Sequence, residues 1–268
     1  MEREHRAAKR ALFDTSVWTS HTVVVVDQSG SMRTTDVDGG ATRSDAVWLS
    51  LALSWVQDEI KSGTRTATDV CSVVVMRDES AVVVNAEPVD WVLFNTLIGF
   101  FRNSKPSEGG VYAEAIDLAE ACLMRNTLGS CALGLLFFSD GKPSDDYDSF
   151  PAISKEERAG YDKSEKRLMW KKRVAYFAQR DVVLTNRIGA LASCFGRRLT
   201  VGNIGFANSS EEFSTLQAMT EACAAYQCQA SLHKPTLTAQ SLHSILSNLS
   251  STLTNTKTEL TALGGTKQ

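Results

Sequence analysis

Several features are missing from this 268-residue chain, and each absence excludes a class of protein or partner. It has no uncharged apolar run of about 18 residues, so we expect no membrane span. Residues 1–14 carry charges of both signs and no long apolar stretch, which is unlike a secretory signal peptide. The net charge of −3 provides no general attraction to nucleic acid or to an anionic membrane. The sequence therefore predicts neither of these as a partner.

The cysteines lack the close spacing of a zinc site. Most of them lie in apolar segments, where a cysteine behaves as a small buried hydrophobic residue. The six are Cys71, Cys122, Cys131, Cys194, Cys223 and Cys228. We therefore expect free core thiols in a reducing compartment, and we place the chain in the cytoplasm.

Signatures of catalysis are also absent. None of the four histidines lies in a recognised motif with a Ser or Cys partner. The sequence contains no Gly-rich phosphate loop that ends in Lys followed by Ser or Thr. We therefore expect no catalytic residue, no organic cofactor and no enzymatic activity.

Short apolar runs that are typical of strands occur along the chain. They cover residues 23–26, 70–76, 131–138 and 199–206. Val23–Val26 and Leu135–Phe138 are continuously apolar, as expected for central parallel strands covered on both faces. Residues 81–84 follow a short turn and predict an antiparallel edge strand, and residues 229–232 predict a weaker sixth strand.

Helical apolar periods alternate with these strands. They begin at Trp48, Tyr112, Phe213 and Leu242. The first follows Thr42-Arg43-Ser44-Asp45, which has the spacing of a capping box. The alternation predicts a doubly wound, Rossmann-like α/β fold with a mostly parallel six-stranded sheet, helices on both faces and one antiparallel edge strand.

Residues 141–198 are long for one connection in such a fold. They contain a long helical stretch whose apolar face is formed by Trp170, Val174 and Phe177. A basic run, residues 163–173, surrounds Trp170 and could contact an anionic partner. Because no nucleic-acid motif accompanies the run, we favour a helix whose apolar face packs on the sheet and whose cations are solvated.

Oxygen-bearing side chains follow the first predicted strand at alternate positions: Asp27, Ser29 and Ser31. Asp140 follows the predicted strand at 131–138. Ligands of open parallel sheets bind at the carboxyl ends of the strands, so these groups would converge there. Few carboxylates together with neutral oxygens suit Mg²⁺ or Mn²⁺. The sequence therefore predicts a divalent-metal site.

These segments resemble the von Willebrand factor A family. DQSGSM at 27–32 is similar to its metal-ion-dependent adhesion site (MIDAS), FFSDGKP at 137–143 to its second aspartate loop, and residues 205–222 to its late strand and following helix. The resemblance covers about residues 20–235. It implies the strand order 3-2-1-4-5-6, with Asp27, Ser29 and Ser31 holding the metal and Asp140 bound directly or through water. It also implies a protein partner whose acidic side chain completes the coordination.

One position departs from the family pattern. The family has a threonine ligand in a Gly-Gly-Thr loop, whereas this chain has Val111 after Gly109-Gly110. Valine has nearly the shape of threonine but no lone pair, so the site is degenerate at this position. Ser107 or Glu108 could compensate, although both precede the glycine pair.

Three hypotheses for function follow. The leading one is an intracellular protein-interaction module, with an N-terminal arm at 1–19, a von Willebrand A-type domain at 20–249 containing the insertion, and a Ser/Thr-rich helix end and tail at 250–268. The second is a Mg²⁺-dependent phosphoryl-transfer or hydrolytic enzyme that uses Asp27 and Asp140. The third is a metal-free scaffold with a vestigial site.

Two further groups of aspartates follow the predicted ligands along the sequence. Asp36 and Asp38 resemble half of a calcium loop without its closing glutamate, and we interpret them as a solvated turn that could line the edge of the metal site. Asp145, Asp146 and Asp148 receive the same interpretation.

Overall fold

A computed structural model describes residues 1–126, 129–141, 143–145, 162–208, 211 and 213–264. Its described strands form one sheet in the order β3-β2-β1-β4-β5-β6. The strands are β1 (Ser20–Asp27), β2 (Asp69–Met76), β3 (Ala81–Pro88), β4 (Ala132–Ser139), β5 (Leu199–Gly205) and β6 (Gln229–His233). Only the β2–β3 pair is antiparallel among them, so the predicted mostly parallel sheet with one antiparallel edge strand is confirmed.

Helices cover both faces of this sheet. They are α1 (Glu2–Ala11), α2 (Arg43–Ser50), α3 (Gln57–Ser62), α4 (Trp91–Asn103), α5 (Tyr112–Leu123), α6 (Lys163–Phe195), α7 (Ser214–Ala224) and α8 (Ala239–Gly264). A π-helical segment, Leu51–Val56, joins α2 to α3. The Thr42 side chain accepts a hydrogen bond from Asp45 N and the reciprocal bond is present, so the predicted capping box is confirmed.

The core is divided in two by the sheet. Val23 and Val25 of β1 face the layer of α5, α6 and α7, whereas Val24 and Val26 face α2, α4 and α8. All four valines are fully buried. Continuous apolar character in β1 therefore follows from burial on both faces, as predicted.

The prediction that Trp170 and Val174 lie on a packed apolar face of α6 is wrong. Leu184, Ile188 and Leu191 of its second half are buried in the core, but Trp170 and Val174 in its first half are exposed. A helix of 33 residues is about 50 Å long, whereas a strand of eight residues spans about 26 Å. The helix is therefore too long for its whole apolar face to pack on the sheet.

The ends of the described chain pack against the fold. In the N-terminal segment, Leu12 and Trp18 are buried, and the Trp18 indole donates to the carbonyl of Leu12 at 2.8 Å. Helix α8 continues through the Ser/Thr-rich stretch, where Leu253 and Leu260 are buried. Within the described ranges, no helix combines enough length with enough apolar character to cross a lipid bilayer.

Candidate functional site

The carboxyl ends of β1 and β4 lie side by side at one rim of the sheet. Val26 pairs with Phe138 in parallel register, which brings the next residue of each strand, Asp27 and Ser139, to the same level. Val23–Val26 and Leu135–Phe138 are therefore adjacent and parallel, as predicted. Asp140 follows Ser139 and reaches the same rim.

Asp27 is held in place by two hydrogen bonds. Its Oδ1 accepts from the backbone N of Ser29 at 2.8 Å, and its Oδ2 accepts from the Ser139 hydroxyl at 2.7 Å. The carboxyl is only 3% exposed. Burial, and secondarily the nearby negative charge of Asp140, raises the pKa of Asp27 to about 6.

The two serines of the motif link Asp27 to Asp140. Ser31 Oγ lies 3.1 Å from Ser29 Oγ and donates to Asp140 Oδ1 at 2.8 Å. Asp140 and Ser29 are buried, whereas Ser31 is exposed. The structure thus brings together all four residues that the sequence proposed as metal ligands, with Ser31 at the solvent side.

Arg43 completes the site, and the sequence analysis missed it. Its guanidinium donates to Asp140 Oδ2 at 2.9 Å through Nη1 and to the two Asp36 oxygens at 2.9 and 2.6 Å. This contact holds the pKa of Asp36 below its usual value. Asp36 is therefore ion-paired at the edge of the site rather than part of a simple solvated turn, whereas Asp38 is exposed. Arg43 is the first residue of α2, and the position of that helix beside the rim brings its guanidinium to Asp140.

A third loop closes over Asp27 from the other side. The backbone N of Ser107 donates to the carbonyl of Gln28, and Gly30 N donates to the carbonyl of Glu108, both at 2.9 Å. These contacts bring Gly110 so close that an added Cβ would lie 3.2 Å from Asp27 Oδ1. Glycine at this position therefore leaves room for the carboxylate and for whatever binds to it.

Val111 lies next to this contact, at the N-cap of α5. It is half-buried, and its backbone N donates to the carbonyl of Arg77 at 3.1 Å. The valine side chain provides no hydroxyl to cap the helix or to bind an ion. Ser107 and Glu108 approach the Asp27 loop through their backbones, in the contacts described above.

A buried aspartate supplies the missing cap. Asp145 accepts hydrogen bonds from the backbone N of Tyr112 at 3.0 Å and of Ala113 at 2.7 Å, in the first turn of α5. The interpretation of Asp145 as a solvated turn residue is therefore wrong, because it is 5% exposed and binds a helix N-terminus. Burial nevertheless raises its pKa. Asp146 and Asp148 lie outside the described residues.

Behind Asp27, a buried tyrosine supports the site. The Tyr112 hydroxyl lies 2.6 Å from Ser139 Oγ and 2.9 Å from the carbonyl O of Gly141. Burial and the charge of Asp27 raise the pKa of Tyr112, so its hydroxyl stays protonated and donates. Ser139 therefore accepts from Tyr112 and directs its own proton to Asp27. Ser139 could have been identified from the sequence, because the parallel register of β1 and β4 places this serine next to Asp27.

The site consists of hard oxygen donors, and one guanidinium partly neutralises their negative charge. Two carboxylates and two hydroxyls converge, which suits a small divalent cation, and the close approach of Gly110 keeps side chains off Asp27. Across the described residues, no group of three or more His, Cys, Asp or Glu side chains is arranged to hold a metal. Any ion here would therefore depend on the serine hydroxyls and on water.

Comparison with known proteins shows the fold. No family model matches the sequence, and no curated protein matches it. Solved structures do: the VWA domain of SpRpn10 has a TM-score of 0.54 at 12% identity, over 85% of this chain and 94% of that one. A von Willebrand factor type A protein from Catenulispora acidiphila has a TM-score of 0.52 at 11% identity, over 90% of this chain and 43% of that one.

The conserved hypothetical protein BatB from Bacteroides thetaiotaomicron is similar at a TM-score of 0.54 and 11% identity, over 87% of this chain and 98% of that one. The chain has the fold of a von Willebrand factor A domain. At 11–12% identity these comparisons show the arrangement of strands and helices alone. The chemistry of the rim follows from the residues that this chain places there.

Proposed function

We propose that this protein is an interaction module that binds a divalent cation at the rim and recruits a protein partner there. The observation that carries the proposal is the convergence of Asp27, Ser29, Ser31 and Asp140 at the carboxyl ends of two adjacent strands. These four residues would hold Mg²⁺ or Mn²⁺. When bound, the ion would offer a coordination position to a carboxylate of the partner.

The residues around the ligands favour a binding role over a chemical one. Both oxygens of Asp27 already accept hydrogen bonds, and both oxygens of Asp140 accept from Ser31 or Arg43. These contacts orient the carboxylates and leave neither in the position of an unpaired general base. We therefore propose no catalytic step at this site.

A metal-free scaffold is the second candidate, and one observation favours it. The Arg43 guanidinium already neutralises Asp140 through a buried contact of 2.9 Å. With valine at position 111 as well, the rim keeps a stable charge balance without an ion. In this alternative, a partner would contact the same surface through hydrogen bonds and shape alone.

Calorimetry with Mn²⁺ and Mg²⁺ separates the two candidates. The native protein should bind one ion, Asp27→Ala should abolish binding, and Asp38→Ala, which changes an exposed aspartate of the same region, should leave binding unchanged. Absence of binding to the native protein would favour the scaffold.

Partner capture supplies the second readout. Proteins retained on the immobilised native chain in Mg²⁺ should be released by EDTA and should not be retained by Asp27→Ala. A partner held equally by both proteins in EDTA would contradict a metal-bridged contact. Hydrolysis of a phosphoester by the native protein but not by Asp27→Ala would show instead that the rim is an enzymatic site.

A further inference from the structure

The first part of α6, residues 163–175, forms a segment that we call the exposed arm. Its described side chains are all exposed except that of Met169, which is half-buried. Large apolar groups are among them: Leu168 is 54% exposed, Trp170 66% and Val174 48%. Trp170 and Val174 lie four residues apart on one side of the helix, and neighbouring exposed apolar groups mark an interaction surface, whereas isolated ones do not.

The charge of the arm opposes that of the rest of the chain. Residues 163–173 contain six of the 28 basic residues and one of the 31 acidic residues, which gives the arm a net charge of +5 and the remainder −8. This separation makes the arm attractive to an anionic partner, although the protein as a whole is acidic.

The arm presents cations and apolar groups along one helical face. Lys163, Arg167, Trp170 and Val174 follow each other at spacings of three or four residues, which places them on one side of a helix. Along this face, the two basic residues therefore lie on the N-terminal side of the two apolar residues. Further along this helix, Leu184, Ile188 and Leu191 are buried in the core, so the second half anchors the arm.

We propose that the exposed arm binds an acidic amphipathic helix of a partner protein. Such a helix would pack its apolar residues against Trp170 and Val174, and its carboxylates would face the lysines and Arg167. Tryptophan is well suited to this role because a large, rigid side chain contributes strongly when buried at an interface.

Other occupants fit less well. A second copy of the arm would bring +5 against +5, so self-pairing through this surface is opposed by repulsion. A membrane would need an uncharged side to insert, but Lys163 and Lys172 lie on opposite sides of the helix. A nucleic acid would contact the cations but would leave Leu168 and Val174 unused, and the remaining −8 would repel it.

Fluorescence anisotropy with labelled synthetic peptides tests the proposal. The probe is a helical peptide of about 18 residues, roughly 27 Å long, with leucines at spacings of three or four and glutamates between them. One matched peptide carries glutamine in place of glutamate, and another carries serine in place of leucine. All measurements are made in EDTA, so that metal-bridged binding at the rim cannot contribute.

We expect the acidic amphipathic probe to bind at least roughly tenfold more tightly than either matched peptide. Trp170→Ala and the double variant Lys166→Glu/Arg167→Glu should each weaken it by about tenfold or more. Val182→Ala, an exposed valine of the same helix outside the arm, should leave binding unchanged. Circular dichroism confirms that the variants keep their helix content.

Three results would overturn the proposal. The first is failure of the probe to bind at concentrations up to roughly 200 μM, far above a μM dissociation constant. The second is equal binding by the native protein and Trp170→Ala. The third is tighter binding of a single-stranded RNA oligonucleotide or of phosphatidylserine vesicles than of the probe.

Discussion

Arg43→Met tests how the charge of the rim is balanced. In the native protein the guanidinium donates to Asp140 at 2.9 Å and forms two contacts with Asp36. Arg43 is 8% exposed and Asp140 is 6% exposed, so the Arg43–Asp140 pair is buried. Methionine keeps an unbranched apolar stem but removes the charge and the donors. Asp140 Oδ2 then loses the donor that it has in the native protein.

The expected loss follows from the burial of this pair. Removing one partner of a buried ion pair costs about 3–5 kcal/mol. Because the Asp36 side chain is 28% exposed, water replaces part of its contact, and we take the lower end, about 3 kcal/mol. At about 2–4 °C per kcal/mol for a chain of this size, Tm should fall by roughly 6–12 °C in EDTA.

A divalent ion should reverse much of that loss. An ion present at about 100 times its Kd stabilises the folded state by about 2.7 kcal/mol. It also supplies the positive charge that Arg43→Met removed, without repulsion from a guanidinium. The Tm increase on adding Mg²⁺ should therefore be larger in Arg43→Met than in the native protein, and Mn²⁺ affinity measured by calorimetry should be higher.

The assay is thermal unfolding of the native protein, Arg43→Met and Arg33→Met, each with EDTA and with excess Mg²⁺. Arg33 is an exposed arginine in the turn after β1, and its Nε donates to the carbonyl of Gly30, so its variant controls for loss of one positive charge near the site. An equal Tm increase in all three proteins would refute the reasoning. No Mg²⁺ effect in any of them would refute the metal proposal itself.

Three other substitutions have defined outcomes. Val111→Thr should tighten Mn²⁺ binding in calorimetry by about 1–3 kcal/mol, the scale of one contact to a charged group; unchanged affinity would mean that position 111 does not face the ion. Gly110→Ala places a Cβ 3.2 Å from Asp27 Oδ1 and should weaken Mn²⁺ binding while circular dichroism stays unchanged. Burial, and secondarily the charge of Arg125, lowers the pKa of His21 to about 3 from its unfolded value near 6.5. Protonation of His21 is therefore resisted in the folded state, which contributes a loss of stability of about 2 kcal/mol between pH 7 and pH 5 in urea unfolding. The raised pKa of Asp27 acts in the opposite direction over this range, so the contribution of His21 is measured as the difference between the native protein and His21→Gln. His21→Gln should remove this loss, and an equal loss in the variant would contradict the assignment to His21.

The sheet could be predicted because strands that are buried on both faces have continuously apolar sequences. Val23–Val26 of β1 and Leu135–Phe138 of β4 are apolar at every position, and the short turn before β3 indicated an antiparallel neighbour. Helix α4 was not predicted, although it has a helical period: Leu93 and Leu97 are buried, whereas Asn95, Thr96 and Arg102 are exposed. Its Asp90 cap accepts from Val92 N and Leu93 N, and this cap was the signal that could have identified the helix.

The oxygen donors of the site were predictable for a different reason. Asp27 and Asp140 end apolar strands, and parallel strands bring their carboxyl ends together. The contacts of Arg43 could not be predicted, because a residue at the start of a capped helix is ordinarily solvated. Only the position of α2 relative to β4 brings its guanidinium to Asp140. Asp145 was misjudged for the same reason, since its partners lie in a helix more than 30 residues away in sequence.

The positive charge of Arg43 bears on both candidate functions, metal-bridged binding and a metal-free scaffold. Two buried carboxylates at one rim repel each other unless a positive charge lies between or beside them. In this chain Asp140 forms an ion pair with Arg43. Hydrogen bonds from Ser29 and Ser139 reduce the energetic cost of burying the Asp27 carboxylate. A divalent ion must therefore share Asp140 with a guanidinium that is itself held by Asp36. We therefore expect the Arg43–Asp36 contact to influence how readily an ion reaches Asp140.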